Sequence, residues 1–582
     1  MIRIKDHKQQ HLFDPWAYLS PKRRRMLEEG WPGLFRQHLL GELPVDLLKP
    51  FFTDGFGRPT KELHTLLGVM LFQQTMDLND AEAVDQLAYN LQWHYALDIT
   101  EESDEAKYVS EKTLWSTRQL MAENGIDGVM FEKLTDKLAK VFGVDPANQR
   151  IDSVHIRSNM RRLGRIAIFS RTIAKFLVNL KRHHRELFDT ITADIIDRYW
   201  GEKALAAFSL VKPTESEKTL KQVSADLFDL VEQFKDQAAV SSMHSYKLMQ
   251  RVLADQCRVE TEDAGGPKVT IKKPAEIPSD SLQNPSDPDA TYSGHKGQGY
   301  QVQIMETFSR SEDEKEKEQT LNLITHVEVQ PACESDANAL VPAVADTRIR
   351  GLGPDQLVAD TLYGSDTNHQ TAKVADVDLI APTQKGNESK PLSEFTFNDK
   401  GYVETCPAGH APERVKHKKK TDRYSAAFDP KLCQGCPHAE HCPVKPGKKM
   451  NYLRYGGKQY RLSVRRRAEQ SEAFIDTYRW RAGVEATMSE YDRLTGAKKL
   501  RVRGMPAVRF CAKMKAIGLN LLRAARVRRA RMKAAEADQG LGRRITVAVY
   551  RVKERIQATT VNFSAGWPNS SGIDPEIYKL AA

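Results

Sequence analysis

Residues 357–364 read Leu357-Val358-Ala359-Asp360-Thr361-Leu362-Tyr363-Gly364, a short apolar run closed by an acid and followed by a turn. A run of this kind bounded by a turn signal predicts a buried strand. In α/β sheets ligands sit outside the carboxyl ends of strands, so Asp360 predicts a site as well as a strand end. Strand-like segments lie on both sides of it. Arg150-Ile151-Asp152-Ser153-Val154-His155-Ile156 alternates apolar and polar positions, and Gly299 to Phe308, Leu321 to Val329 and Val377 to Ile380 read the same way. A helix is expected over Asp336 to Asp346. Strands interleaved with helices predict an α/β core, a mixed sheet flanked by helices.

The chain before this core is mainly helical. Leu63, Leu66, Leu67, Met70 and Leu71 recur at helical spacing after Gly57-Arg58-Pro59-Thr60, a turn and N-terminal boundary. Further helices are expected over Ala81 to Leu91 and Glu111 to Met121. After the first strand a helical pattern resumes, with stripes at Ile173, Phe176, Leu177, Leu180, Leu187 and Ile191 and at Leu227, Leu230, Val231 and Phe234. These stripes are packing faces. Asp263 to about Asp289 turns to Gly, Pro, Ser and Asp and reads as a loop. Residues 390–450 are polar and contain cysteines, and from Glu469 the chain is helical and increasingly basic. The expected division is a helical N-terminal domain over 1–148, a core over 149–390 and 465–525 with a helical insertion at 165–262, a Cys-rich insertion over 391–464, and a basic tail over 526–582.

A chain of 582 residues exceeds what one hydrophobic core supports. Its 40% hydrophobic and 28% charged residues fit a folded protein and exclude a disordered one. No run of about 18 uncharged apolar residues is present, which predicts no membrane span. The opening Met-Ile-Arg-Ile-Lys has no apolar h-region, so the expected location is cytoplasmic. The net charge of +10 is unevenly spread: Lys498 to Lys533 holds thirteen Lys and Arg and no acid. Such a stretch repels itself unless a polyanion neutralises it, which favours phosphate contact over a solvated helix.

Four of the seven cysteines cluster as Cys406-x26-Cys433-x2-Cys436-x5-Cys442. In a reducing cytosol this spacing reads as a closed structural Zn²⁺ site that folds an otherwise coreless insertion. His410, His438 and His441 are possible substitutes for one thiolate. Cys257, Cys333 and Cys511 read as ordinary residues.

Three isolated acids stand where hard cations such as Mg²⁺ are held. Asp152 lies inside an apolar strand, Asp360 ends another, and Glu485 sits in a helical run. Tyr478, Arg481 and Glu485 are spaced i, i+3, i+7 on one helix face, which sets a phosphate clamp beside a metal ligand. Asp366, Glu490 and Asp492 are competing acids.

Tyr478-x2-Arg481-x3-Glu485 resembles the signature around the catalytic glutamate of bacterial insertion-sequence DDE transposases. Asp152 in Ile-Asp-Ser resembles the family's first catalytic strand, and Ala359-Asp360-Thr361-Leu362-Tyr363-Gly364-Ser365 its second. Pro288-Asp289-Ala290, Gly294-His295-Lys296-Gly297 and Gly299-Tyr300-Gln301-Val302 resemble the segment before its second core strand. The signature ordinarily continues to a Lys where this chain has Asp492, with Arg493 next and Lys498 further on. The resemblance implies a ribonuclease-H-like core and two Mg²⁺ or Mn²⁺ ions on Asp152, Asp360 and Glu485. It implies DNA contacts from Tyr478, Arg481, Arg493, Lys498, Lys499, Arg501, Arg503 and Lys296. It further implies terminal inverted repeats and target DNA as partners, a homodimer or larger synaptic complex, and a bacterial, nucleoid-associated protein. Two other readings share these residues: a ribonuclease-H-like nuclease without strand transfer, and an inactive or domesticated DNA-binding derivative.

Overall fold

The helix Leu63–Thr75 is buried on every side, so its apolar spacing marks the centre of a core. Glu62 caps it, accepting the backbone N–H groups of His64 and Thr65. The next helix spans Asp80–Tyr89, one residue ahead of the expected start, because Asn79 and Glu82 form a capping box. Asn90 caps the short helix Leu91–Ala96, and Glu111–Glu123 and Ile126–Phe142 follow. Phe35, Phe72 and Trp93 meet edge to face in the core.

These elements are drawn from a computed structural model that describes residues 2–7, 12–53, 59–262, 266–384 and 392–537. Gly57 and Arg58 of the expected turn, the start of the Asp263 loop, residue 391 and the tail beyond 537 lie outside the described residues. The chain forms two units. The first gathers residues 1–145, 308–323 and the chain from 514 on; the second holds 146–307 and 324–513.

Within the second unit, β1 (Asn148–Arg157) is followed by helices from Arg165 to Gln256. These bury the predicted stripes, with Phe169, Phe176, Leu227, Phe234 and Tyr246 at their centre. A hairpin of β2 (Cys257–Glu262) and β3 (Gly266–Ile271) comes next. The loop expected from Asp263 is therefore corrected over 266–271. Val269, Thr270 and Ile271 complete the strand pairing that composition alone obscured, and Val269 packs against the helical core.

The main sheet contains β4 (Thr291–Ser293), β5 (Gly297–Thr307), β6 (Ile324–Pro331), β7 (Gln356–Ala359) and β8 (Asp378–Ile380) besides β1. Its order is β4-β5-β1-β7-β8, with β6 also paired to β5. β1 runs antiparallel to β5 and parallel to β7, so the sheet is mixed. The helix expected over Asp336 to Asp346 opens as a 3₁₀ turn, Asp336–Ala339, and continues as an α-helix to Ile349.

The cysteine segment contains β9 (Thr396–Phe397), β10 (Val403–Thr405), β11 (Arg414–Lys418), β12 (Arg423–Phe428) and β13 (Asn451–Gly456). It is not coreless: Leu392, Phe395, Val403, Tyr424, Phe428, Leu453 and Tyr455 bury one another. Alternation along β12 puts Tyr424, Ala426 and Phe428 on the inner face. Helix begins again at Gly457, earlier than expected at Glu469, because the fold turns directly from β13 into Gly457–Ala468.

Candidate active site

The parallel register of β1 and β7 pairs Ile151 with Ala359. One step further along the two strands stand Asp152 and Asp360, on strands that lie roughly 4.8 Å apart. Ile151 and Ala359 point into the core of the second unit, so alternation turns both acids to the opposite face. Asp360 also caps the 3₁₀ turn Thr361–Tyr363, its Oδ1 accepting the Leu362 N–H at 2.8 Å. The turn is tight. A Cβ on Gly364 would stand 1.9 Å from the Pro382 carbonyl oxygen, which is why glycine follows Tyr363.

Glu485 arrives on the helix Gly483–Thr495, entered through a 3₁₀ segment, Arg479–Ala482. Tyr478, Arg481 and Glu485 therefore do not lie on one regular α-helix, as their spacing suggested. Arg481 still reaches both acids: Nη2 lies 3.1 Å from Asp152 Oδ2 and Nη1 lies 3.1 Å from Glu485 Oε1. The Glu485 side chain is 68% exposed, open to solvent and ligands.

A buried ion pair anchors this helical segment. Arg150, next to Asp152's strand neighbour, pairs with the fully buried Glu306 at 2.8 Å and donates to the Trp480 carbonyl at 2.9 Å. Glu306 also accepts the Thr487 hydroxyl at 2.7 and 2.8 Å. A Cβ on Gly483 would meet the Arg150 guanidinium at 2.0 Å, so the helix start and the ion pair fit only with glycine there.

Sequence reasoning missed a fourth acid. Asp336 is buried, accepts Gln303 Nε2 at 2.9 Å, and lies 3.7 Å from Lys296 Nζ. Lys296 also donates to Ser153 Oγ at 2.9 Å, and Tyr363 donates to Gln303 at 2.5 Å. The available signal was a buried strand with glutamines at alternate positions, Gln301 and Gln303, which needs polar partners. Burial pushes the Asp152 carboxyl above the usual carboxylate range, and Asp360 and Asp336 add to this; the Ser153 N–H and Arg481 oppose it. Burial and the same three acids push the Tyr363 hydroxyl far up. Tyr478 is raised by burial, with Asp360 and Asp152 contributing and Arg481 opposing. Burial works against the charge on Arg481, yet Asp152 and Asp360 hold it above its ordinary value.

The competing acids have other partners. Asp366 is gripped by Arg461 through Nε and Nη2, at 3.0 and 2.7 Å. Asp492 accepts the Lys498 N–H at 2.9 Å and lies 3.9 Å from its ammonium.

Arg493, Lys498, Lys499, Arg501 and Arg503 are exposed, the last four on the loop before the final helix. Arg157 at the end of β1 donates its N–H to the Lys498 carbonyl at 3.2 Å. Asp287 and Asp289 accept the N–H groups of Gly504 and Met505, at 3.1 and 2.8 Å. The loop is thus tied to the strand bearing Asp152. The expectation that the whole basic stretch tracks phosphate does not hold for Lys515, Arg523 and Arg531. Lys515 is buried beside Asp77 and the Gln74 carbonyl, and Arg523 is buried on the Asn322 carbonyl. Arg531 caps the carbonyls of Gln319 and Phe142. These cations satisfy backbone oxygens inside the first unit.

Cys406 and Cys433 each begin a tight turn: Gly409 N–H donates to the Cys406 carbonyl, and Cys436 N–H to that of Cys433. Cys406, Cys433 and Cys442 pack against the same small core. Burial pushes the Cys442 thiol up, and Cys433, Cys436 and Cys406 add to it. Neither the thiols nor Asp152, Asp360 and Glu485 form a group of three ligand atoms within 4.8 Å; among the described residues, His7, Glu62 and His64 do.

The second unit thus carries a mixed α/β sheet in which Asp152, midway along β1, and Asp360, directly after β7, stand on neighbouring parallel strands. Comparison with known families is more specific. The family described as "Transposase DDE domain" matches residues 405–525, and "Transposase domain (DUF772)" matches residues 38–120. The two matches indicate an insertion-sequence DDE transposase, in agreement with the resemblance carried by Tyr478, Arg481 and Glu485. The first match spans these residues and all four clustered cysteines; Asp152 and Asp360 precede it. No curated protein matches the chain. No helix among the described residues is long and apolar enough to cross a membrane.

Proposed function

We propose that the protein cuts the ends of an insertion sequence and joins the freed 3′-OH to target DNA, on a ribonuclease-H-like core. The observation that carries this reading is the placement of Asp152 and Asp360 at adjacent positions of parallel strands, with Arg481 linking Asp152 to Glu485. The sheet order, with β1 between an antiparallel and a parallel neighbour, supports the core assignment.

The donor set is all carboxylate, which fits two Mg²⁺ or Mn²⁺ ions. When bound, such ions activate the attacking oxygen and stabilise the leaving one. Asp152, Asp360 and Glu485 hold them. Arg481 and Tyr478 clamp a phosphate beside the acids. Lys296 stands on the Asp336 side of the site and faces DNA. Arg493, Lys498, Lys499, Arg501 and Arg503 bind the backbone that leads into it. Cys406, Cys433, Cys436 and Cys442 hold a structural Zn²⁺; the turns at Cys406 and Cys433 and the packing of Cys406, Cys433 and Cys442 on one small core support a four-thiolate set. The helical N-terminal domain, residues 1–148, binds DNA ends or joins two copies, since synapsis of two ends calls for at least a dimer.

The test is cleavage of the gene's flanking DNA by the purified chain with Mg²⁺ or Mn²⁺, comparing wild type with Asp360→Asn and Glu485→Gln. Metal-dependent nicking and strand-transfer products that vanish in both variants, with DNA binding retained, are expected. Nicking without joined products favours the nuclease reading. Binding without cleavage in wild type favours the inactive derivative.

A further inference from the structure

We infer that His7, Glu62 and His64 form a binding site for a divalent transition metal of the zinc class, which clips the N-terminal segment to the helix Leu63–Thr75. The site lies wholly in the first unit and is independent of the proposed DNA chemistry.

One ligand atom from each residue falls within 4.8 Å of the others. Three donors bound to one zinc-class ion lie roughly 3.3–3.6 Å apart, a spacing bracketed by the 2.9 Å from His64 and the 3.9 Å from His7 to the Glu62 carboxylate. The His7 side chain is only 4% exposed. Both of its ring nitrogens are buried without a hydrogen-bond partner. A buried imidazole with two unsatisfied nitrogens is uncommon in a settled structure and points to a missing ligand. Nε2 faces Glu62 Oε2 at 3.9 Å, and the His64 Nδ1 faces the same carboxylate at 2.9 Å. The two rings meet edge to face, 4.7 Å between centroids.

The backbone is already in position. Arg3 N–H donates to Thr60 Oγ1 at 3.0 Å, Leu63 N–H to the Arg3 carbonyl at 3.1 Å, and Lys5 N–H to Glu62 Oε1 at 3.2 Å. The carboxylate is fixed by the helix it caps. On the far side of the His7 ring, Nδ1 lies 3.9 Å from Asp98 Oδ2, and Asp98 is itself held by Arg36 at 2.7 Å. A carboxylate behind a ligating histidine is the usual means of fixing its tautomer. Two imidazoles and one carboxylate select zinc-like ions over Mg²⁺, which prefers oxygen alone. The rival arrangement is an imidazolium held between Glu62 and Asp98 without metal.

Cobalt(II) is the probe, added to the purified full chain with Mg²⁺ in large excess to occupy the all-carboxylate centre. Bound cobalt is counted by elemental analysis, and thiolate ligation is read from its sulfur-to-metal absorption. The expected result is that His7→Gln and His64→Gln each lose one equivalent while the sulfur absorption is unchanged. His7→Gln removes no hydrogen bond, so its circular dichroism stays that of wild type. Asp98→Asn weakens the nitrogen-ligated equivalent by roughly 10–100-fold. Metal should also protect residues 2–7 from proteolysis in wild type and not in His7→Gln. An unchanged cobalt count in His7→Gln, or a wild-type count accounted for by the sulfur-ligated ion alone, overturns the site and leaves the imidazolium.

Discussion

Arg481 and Asp152 are joined at 3.1 Å, and the same guanidinium reaches Glu485 with its other nitrogen. A cation cannot be shared by Asp152 and Glu485 while the guanidinium bridges them. On the proposed chemistry, Arg481 lets go of one acid as a cation binds, which frees it to meet a phosphate. Arg481→Gln should bind Mn²⁺ more tightly than wild type in the absence of DNA, yet cut DNA about 100-fold more slowly. Calorimetric metal titration and single-turnover cleavage read the two effects separately. Weaker Mn²⁺ binding in the variant would show that Arg481 supports the metal site and does not compete with it.

The Arg150–Glu306 pair sets where the helix of Glu485 begins. Glu306→Leu strands a buried guanidinium, and a loss of about 3–5 kcal/mol is expected in urea unfolding. Arg150→Met with Glu306→Leu should recover most of that stability. Cleavage should stay low in the double variant, because the Trp480 carbonyl has lost its donor and the segment carrying Arg481 is no longer fixed. Recovery of both properties would mean that the pair only fills space.

Exposed and buried cations of the basic stretch should separate in salt titrations of DNA binding. Neutralising Lys498, Lys499, Arg501 or Arg503 singly should each reduce the slope of log affinity against log salt by about 1. Lys515→Met should leave the slope unchanged and lower stability, since Lys515 is buried against Asp77 and the Gln74 carbonyl. Equal slopes for all variants would contradict the division.

The cysteine segment has a core of its own, so removing metal should loosen it without dissolving it. Cys433→Ser should lose zinc and expose the turns at 406–410 and 433–442 to hydrogen exchange. The sheet of β11, β12 and β13 should keep its protection, because Tyr424, Phe428, Leu453 and Tyr455 remain packed. Complete exchange across 414–456 would instead make metal the condition for the whole segment, as in small zinc domains.

Burial, with Arg528 and Lys137 adding, pushes the His38 pKa down to about 4. The folded form therefore keeps this ring neutral where the unfolded chain, titrating near 6.5, takes up a proton. Between about 6.5 and about 4 the unfolded state binds more protons, so stability falls as pH falls through that window. The loss reaches roughly 2–3 kcal/mol at its lower end. Urea midpoints of wild type and His38→Gln should converge toward acid pH; parallel curves would assign the acid sensitivity elsewhere.

Strands were legible where apolar runs ended in a polar residue, as at Ala359-Asp360, because burial and strand ends leave a local pattern. The pairing of Asp152 with Asp360 was not local. It depends on a register between segments more than two hundred residues apart. Asp336 was hidden in an expected helix, and its place beside Lys296 and Gln303 follows from β5 and β6 lying side by side. Lys515 and Lys499 look alike in sequence, and only packing distinguishes a buried ammonium from an exposed one. The core of the cysteine segment did leave a two-residue alternation, Tyr424, Ala426, Phe428, beneath a polar average composition. His7 gave no signal, since its partners begin more than fifty residues later.

The parallel seam between β1 and β7 has a consequence for how the protein comes into being. Asp152 is made early, Asp360 much later, and Glu485 later still. While the ribosome is still elongating the chain, the strand bearing Asp152 has no parallel neighbour on that edge, and no acidic centre exists. The helices from Arg165 to Gln256, with their own buried core, can settle meanwhile and shorten the span that must close. On the proposed chemistry, a chain broken off anywhere before Glu485 would lack one of its three acids. Assembly of the three acids therefore waits until the chain has been made as far as Glu485, and the proposed chemistry cannot precede that point.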